Sequence, residues 1–209
     1  MIKNKTVDTA DLFSAIADQL RKDQNRLNDL DRAGGNGNHG DNMVHNFDLI
    51  ANELRGTQGQ DASAQLRRAA ELMQQRGRGQ SAQIYAEGLR EASQRVQGKQ
   101  GIGLDDLAPL LQGLLGGVQR RSGAQPGQGS MLDSLLPGIM GYIGARNAGR
   151  GGLEAAMDAI RAATQGADQT QRAPAQYGEY RRDYNQPWQD PGASSGASLL
   201  EGIFRQFMG

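Results

Sequence analysis

Leu30-Asp31-Arg32-Ala33-Gly34-Gly35-Asn36-Gly37-Asn38-His39-Gly40-Asp41-Asn42-Met43 is the densest signal in the chain. Gly35, Gly37 and Gly40 satisfy G-x-G-x-x-G in form. No strand pattern precedes them, so the strand-to-helix turn of a dinucleotide-binding fold is discounted. A glycine-rich loop lets the backbone approach a ligand closely. This one runs straight into a helix start, where free N–H groups and the helix dipole favour an anion such as phosphate. The same composition also suits a plain turn between helices, with Asn and Gly at left-handed positions. Both readings set a helix on either side of the loop, and that decides the fold class.

Outward from this loop the apolar spacing is helical almost throughout. One stretch runs from about Thr9 to Leu30 with Leu12, Ile16, Leu20 and Leu27 on one face, and Asp8 or Thr9 is placed to cap it. The next starts near Asp41 and carries Met43, Phe47, Ile50 and Leu54. Further amphipathic stretches span about Asp61 to Gln75, Gln80 to Val96, Leu104 to Arg120, Met131 to Arg146, Leu153 to Ala167 and Ala193 to Phe207. That gives eight helices joined by Gly-rich connectors and no alternating strand pattern. Short links between helices of similar length favour antiparallel neighbours, so the expected fold is all-α, an eight-helix antiparallel up-and-down bundle or barrel. No internal repeat or separating linker appears, and residues 1–209 are expected to form one domain. The longest break, Gln171 to Gly192, carries Tyr177, Tyr180, Tyr184 and Trp188, and long aromatic loops are often functional.

Composition narrows the function classes. A formal net charge of +0 argues against a general nucleic-acid binder, which carries a basic excess. Aromatics make up only 5%, so the core rests on Leu, Ile, Ala and Met, which suit helices. There is no cysteine, so disulfides and thiolate metal sites are excluded. No apolar run reaches the roughly 18 residues needed to span a bilayer, and Met1-Ile2-Lys3-Asn4-Lys5 has no apolar stretch behind it to make a signal peptide. The expectation is a soluble, cytoplasmic protein.

The opening loop resembles the metal and nucleotide loop of the DhaL subunit of dihydroxyacetone kinases, Asp-x4-Asp-x-Asp-His-Gly-x-Asn-Met. The nucleotide-binding domain of fatty-acid kinases is similar. This chain supplies Asp31, then Asn36 and Asn38 where the family has aspartates, then His39, Gly40, Asn42 and Met43. Three more segments resemble the family in the same order. Arg78-Gly79-Gln80-Ser81-Ala82 is similar to its second glycine loop. Gly123-Ala124-Gln125-Pro126-Gly127-Gln128-Gly129-Ser130-Met131-Leu132-Asp133 is similar to Gly-Ala-Lys-Pro-Gly-Asp-x-Thr-Met-Leu-Asp. Asp190-Pro191-Gly192-Ala193 is similar to the segment before its last helix. Together they cover nearly the whole chain.

The resemblance implies an eight-helix barrel binding ADP or ATP at one end through magnesium. Carried over residue by residue, the nucleotide contacts are His39, Gly40, Asn42, Gly79, Ser81, Ser130, Met131, Asp190 and Gly192, and the metal positions are Asp31, Asn36 and Asn38. Several of these have bland readings as well. Ser130 and Asp133 form an S-x-x-D capping box, Met131 suits the core, and Asp190-Pro191-Gly192 suits a turn.

The departures bear on chemistry. Magnesium favours hard anionic oxygens, and Asn36 and Asn38 offer only neutral carbonyls. Each lost charge at a partly buried metal weakens binding by on the order of a few kcal/mol. Gln125 and Gln128 replace a lysine and an aspartate of the family pattern, Ala82 replaces a glycine, and Tyr177 stands where the family has an arginine. Phosphoryl transfer relies on metal and positioning, so the expectation is a degenerate, pseudokinase-like form with weak or absent Mg2+. It would bind a ligand or assemble with a DhaK-like partner subunit or with itself. The alternatives are an active phosphotransferase subunit of a dihydroxyacetone (glycerone) kinase-like complex and a purely structural helical protein.

Overall fold

The computed structural model describes residues 6–32, 35–103, 106, 107, 110, 132–151, 154, 155, 157–159, 161, 162 and 191–208. Six helices are traced among them: α1 (Thr9–Arg32), α2 (His39–Leu54), α3 (Ala62–Arg76), α4 (Gly79–Arg95), α5 (Leu132–Asn147) and α6 (Pro191–Met208). Helical backbone also appears at 106, 107 and 110 and at 154, 155, 157–159, 161 and 162, inside two further stretches where the periodicity predicts helices. The all-α expectation holds, and the boundaries agree to within a residue or two.

Described turns of the path are fixed by short polar devices. Asp8 caps α1, with Oδ1 accepting from Ala10 N–H at 2.8 Å, and its Oδ2 accepts from Gly59 N–H at 2.6 Å. Asp61 caps α3 through Ala64 N–H at 2.8 Å and also accepts from Gly98 N–H at 3.2 Å. Two carboxylates therefore serve a helix start and a neighbouring loop at once. At the same end, β1 (Thr6–Val7) pairs antiparallel with β2 (Ile102–Gly103), Thr6 opposite Gly103 and Val7 opposite Ile102. Two residues per strand are too few to leave a period-2 pattern, which is why the sequence shows no strand there.

Packing follows the up-and-down order. α1 lies against α2 and against α6, α3 against α4, and α5 against α6. The last helix thus closes back on the first. Leu12, Phe13, Ile16, Leu20 and Leu27 of α1 are buried, at the i, i+4 spacing that an amphipathic helix needs. Phe13, Phe47 and Tyr85 form a chain of rings with centroids 6.2 and 5.4 Å apart, linking α1, α2 and α4. Tyr142 and Phe204 do the same for α5 and α6 at 5.4 Å. At the crossing of α1 and α2 the backbones touch: a side-chain carbon at Gly40 would run into the Gln24 carbonyl oxygen and sit 2.9 Å from Asn28 Oδ1. No described helix is long and apolar enough to cross a membrane.

Candidate functional site

α1 ends and α2 begins at the end of the bundle away from the β1–β2 pair. The loop between them is held by Asp31. Its backbone carbonyl accepts from Gly35 N–H at 2.6 Å, and its carboxylate Oδ2 accepts from Asn38 N–H at 2.9 Å and His39 N–H at 3.2 Å. Asn38, at the N-cap position of α2, makes no side-chain cap bond of its own. Asp31 reaches across the loop and satisfies two of the donors that a helix start leaves open. Asn38 Oδ1 is taken by Asn42 Nδ2 at 3.1 Å, and Asn36 is exposed.

Asp41, in the first turn of α2, is held by α1. Its Oδ1 accepts from Gln24 Nε2 at 2.8 Å and Asn28 Nδ2 at 2.7 Å, and its N–H donates to Asn28 Oδ1 at 3.1 Å. The bonds from Gln24 and Asn28 hold its carboxyl below the ordinary range. Its interactions therefore include side chains as well as the helix dipole.

The second glycine loop is pinned to α2. Asn46, fully buried, donates Nδ2 to the Arg78 carbonyl at 2.9 Å and accepts Arg78 N–H at 2.7 Å. The next residue, Gly79, has φ +74° and faces Asn42, where a Cβ would lie 3.0 Å from Nδ2. This left-handed position favours glycine on conformational grounds. Ser81 Oγ contacts Met43 Sδ at 3.8 Å, and Ala82 is buried.

The head of α6 completes the cluster. His39 Nε2 lies 3.0 Å from Ser195 Oγ, and Ser195 Oγ donates to the Gly192 carbonyl at 2.9 Å. Burial pushes the His39 imidazole below its ordinary pKa, against the opposing pull of the Asp31 carboxylate. Tyr85 is buried beneath, its phenol pushed up by that burial, with Ser195 as polar neighbour but outside hydrogen-bond geometry.

The structure thus gathers Asp31, Asn38, His39, Gly40, Asn42, Gly79, Ser81 and Gly192 at one end, where the α1–α2 loop, the start of α4 and the start of α6 meet. Ser130, Met131 and Asp190 lie outside the described residues, as do the third motif up to Met131 and the aromatic loop up to Asp190, while Pro191 and Gly192, expected in that loop, begin α6. Asn28, Asn46, Tyr85 and Ser195 belong to the cluster without having been singled out from the sequence. Asn46 alone left a trace there, as a polar residue four positions after Asn42 on the same helix.

Magnesium is implied by the sequence resemblance, and its three expected positions, Asp31, Asn36 and Asn38, hold a single carboxylate. Among the described residues no group of three His, Cys, Asp or Glu side chains could hold a metal ion. One Asp31 oxygen serves two backbone donors, Asp41 is engaged by α1, and the amide oxygen of Asn38 is engaged by Asn42. What the arrangement offers is a glycine-rich rim, the N-terminus of α2 and a partly buried imidazole.

Comparison with known proteins agrees with this architecture. The family model of the DAK2 domain matches residues 33–205. Among solved structures, the dihydroxyacetone kinase of C. freundii in its native form superposes with a TM-score of 0.68 at 20% identity, covering 98% of this chain and 36% of that one. The same kinase in complex with AMP-PNP and Mg2+ gives 0.69 at 20% identity, covering 98% and 35%. This chain spans about a third of the length of those structures, and at that identity the likeness concerns the fold. No curated protein matches the chain. A chain matched from its first glycine loop to its last helix is a member of the DAK2 domain family, the DhaL-like domains of dihydroxyacetone kinases.

Proposed function

We propose that this chain, as one DhaL-like domain, is a binding module that takes a nucleotide such as ADP or ATP at the end where the α1–α2 loop, α4 and α6 meet, and that it does so with little or no help from Mg2+. The observation that carries the reading is the hydrogen bonding of Asp31. The one carboxylate left of the expected trio satisfies the α2 N-terminus. Two asparagines replace the others, so a bare phosphate approaching this helix start meets fewer negative charges than in the family pattern. His39, Gly40, Asn42, Gly79, Ser81 and Gly192 supply the surrounding surface, with Ser130, Met131 and Asp190 the further contacts that the resemblance implies.

In this reading phosphoryl transfer is weak or lost, and the domain works by binding a ligand and by assembling with a DhaK-like substrate-binding subunit or with a second copy, in the cytoplasm. Calorimetry with ADP, with and without Mg2+, tests it. Affinity indifferent to Mg2+ is the expected result. Affinity that requires Mg2+ favours an active phosphotransferase subunit, and absence of binding favours a structural role.

A further inference from the structure

His39 has one nitrogen inside the bundle and one whose use is open. Nε2 meets Ser195 Oγ at 3.0 Å, while no hydrogen bond to Nδ1 occurs among the described residues. Ser195, fully buried, has a single hydroxyl hydrogen and two acceptor lone pairs. That hydrogen points to the Gly192 carbonyl, 2.9 Å away, which can only accept. With its donor so engaged, Ser195 meets the histidine as an acceptor, and Nε2 carries the proton.

We infer that Ser195 is a positioning residue that fixes His39 as the Nε2–H tautomer and leaves Nδ1 as a lone-pair acceptor for the ligand. Phosphate oxygens of an ionised diphosphate also only accept, so an imidazole held as this tautomer disfavours direct contact with them. Its natural partner is a donor: a ribose or polyol hydroxyl, or an amino group of a base. The anionic part of a ligand is then left to groups other than this imidazole, and His39 selects the hydroxyl-bearing or amino-bearing part. The ligand half of this inference rests on the binding reading above, while the tautomer half stands on the free protein alone.

The test is long-range 1H–15N correlation spectroscopy on the full chain with labelled histidine, at about pH 8, where an ordinary imidazole is neutral. The chain has two histidines, so a His45→Gln variant assigns the spectrum. The expected result is a pyrrole-type Nε2 and a pyridine-type Nδ1 for His39, with Ser195→Ala shifting it toward a mixture of tautomers and Ser195→Thr restoring it. A pyrrole-type Nδ1 in the unsubstituted protein, or a pattern that Ser195→Ala leaves unchanged, overturns the assignment. Addition of ADP separates the two claims. An upfield shift confined to Nδ1 supports a ligand donor there, and conversion of Nδ1 to an N–H overturns it. Absence of any ligand-induced change anywhere in the amide spectrum counts against nucleotide binding and leaves the tautomer result standing.

Discussion

Replacing Asp31 by alanine and by asparagine distinguishes a helix cap from a metal ligand. Asp31 Oδ2 accepts from Asn38 N–H at 2.9 Å and from His39 N–H at 3.2 Å. Hydrogen bonds to a charged group contribute about 1.5–3 kcal/mol, and removal of an N-cap side chain costs about 0.5–2 kcal/mol. The second bond is long and water reaches the loop, so about 2 kcal/mol is the expected loss for Asp31→Ala. In a domain of this size each kcal/mol moves the melting temperature by roughly 2–4 °C, which gives a drop of about 4–8 °C. Asparagine keeps one acceptor oxygen and caps helices about as well as aspartate, so Asp31→Asn should lose less than half as much. A metal ligand would behave otherwise, because the neutral amide forfeits the charge that magnesium requires. Thermal unfolding by circular dichroism, with Mg2+ and with a chelator, gives the answer. Equal damage from Asn and Ala, or a wild-type melting temperature that Mg2+ raises by several degrees, would refute the reasoning.

Restoring carboxylates with Asn36→Asp and Asn38→Asp together should make ADP affinity in calorimetry depend on Mg2+, and an unchanged Mg2+ response argues that the missing charges are not the lesion. Asn46→Ala removes both bonds to Arg78 from a buried site and should cost about 2–3 kcal/mol in urea unfolding; a loss below half a kcal/mol would show that the second glycine loop holds without it. Gly40→Ala forces a carbon into the Gln24 carbonyl and should destabilise by about 1–3 kcal/mol or more, read in the same assay. His39 has a pKa below that of the unfolded chain, so the unfolded state binds the extra proton first. Stability should therefore fall as pH drops through the ordinary histidine range toward 5, and His39→Gln should lose part of that slope in denaturant titrations at successive pH values.

How much of this was legible beforehand depends on the reach of each interaction. Leu12, Ile16 and Leu20 mark α1 because their partners recur at helical spacing within one segment, and Asp8 and Asp61 cap the helices that follow them directly. Asp31 is different. Its capping role spans a glycine loop, and sequence offers the same carboxylate to a metal as readily as to a backbone amide. Asn28 with Asp41, Asn46 with Arg78 and His39 with Ser195 join separate helices, and nothing in local spacing announces those pairings. The site's glycines were visible as a group, but not their separate reasons. Gly40 is small because two backbones meet, and Gly79 because its φ is positive.

The pairing of Thr6–Val7 with Ile102–Gly103 has a mechanical consequence. It knots the start of α1 to the exit of α4 at the base of the bundle, where Asp8 and Asp61 already strap the loops together. α1, 24 residues and so about 36 Å long, carries that anchorage up to the opposite rim. Under the proposed binding function, breathing that admits a guest is thereby steered to the rim, as the stems of a sheaf tied at the foot can part only at the head.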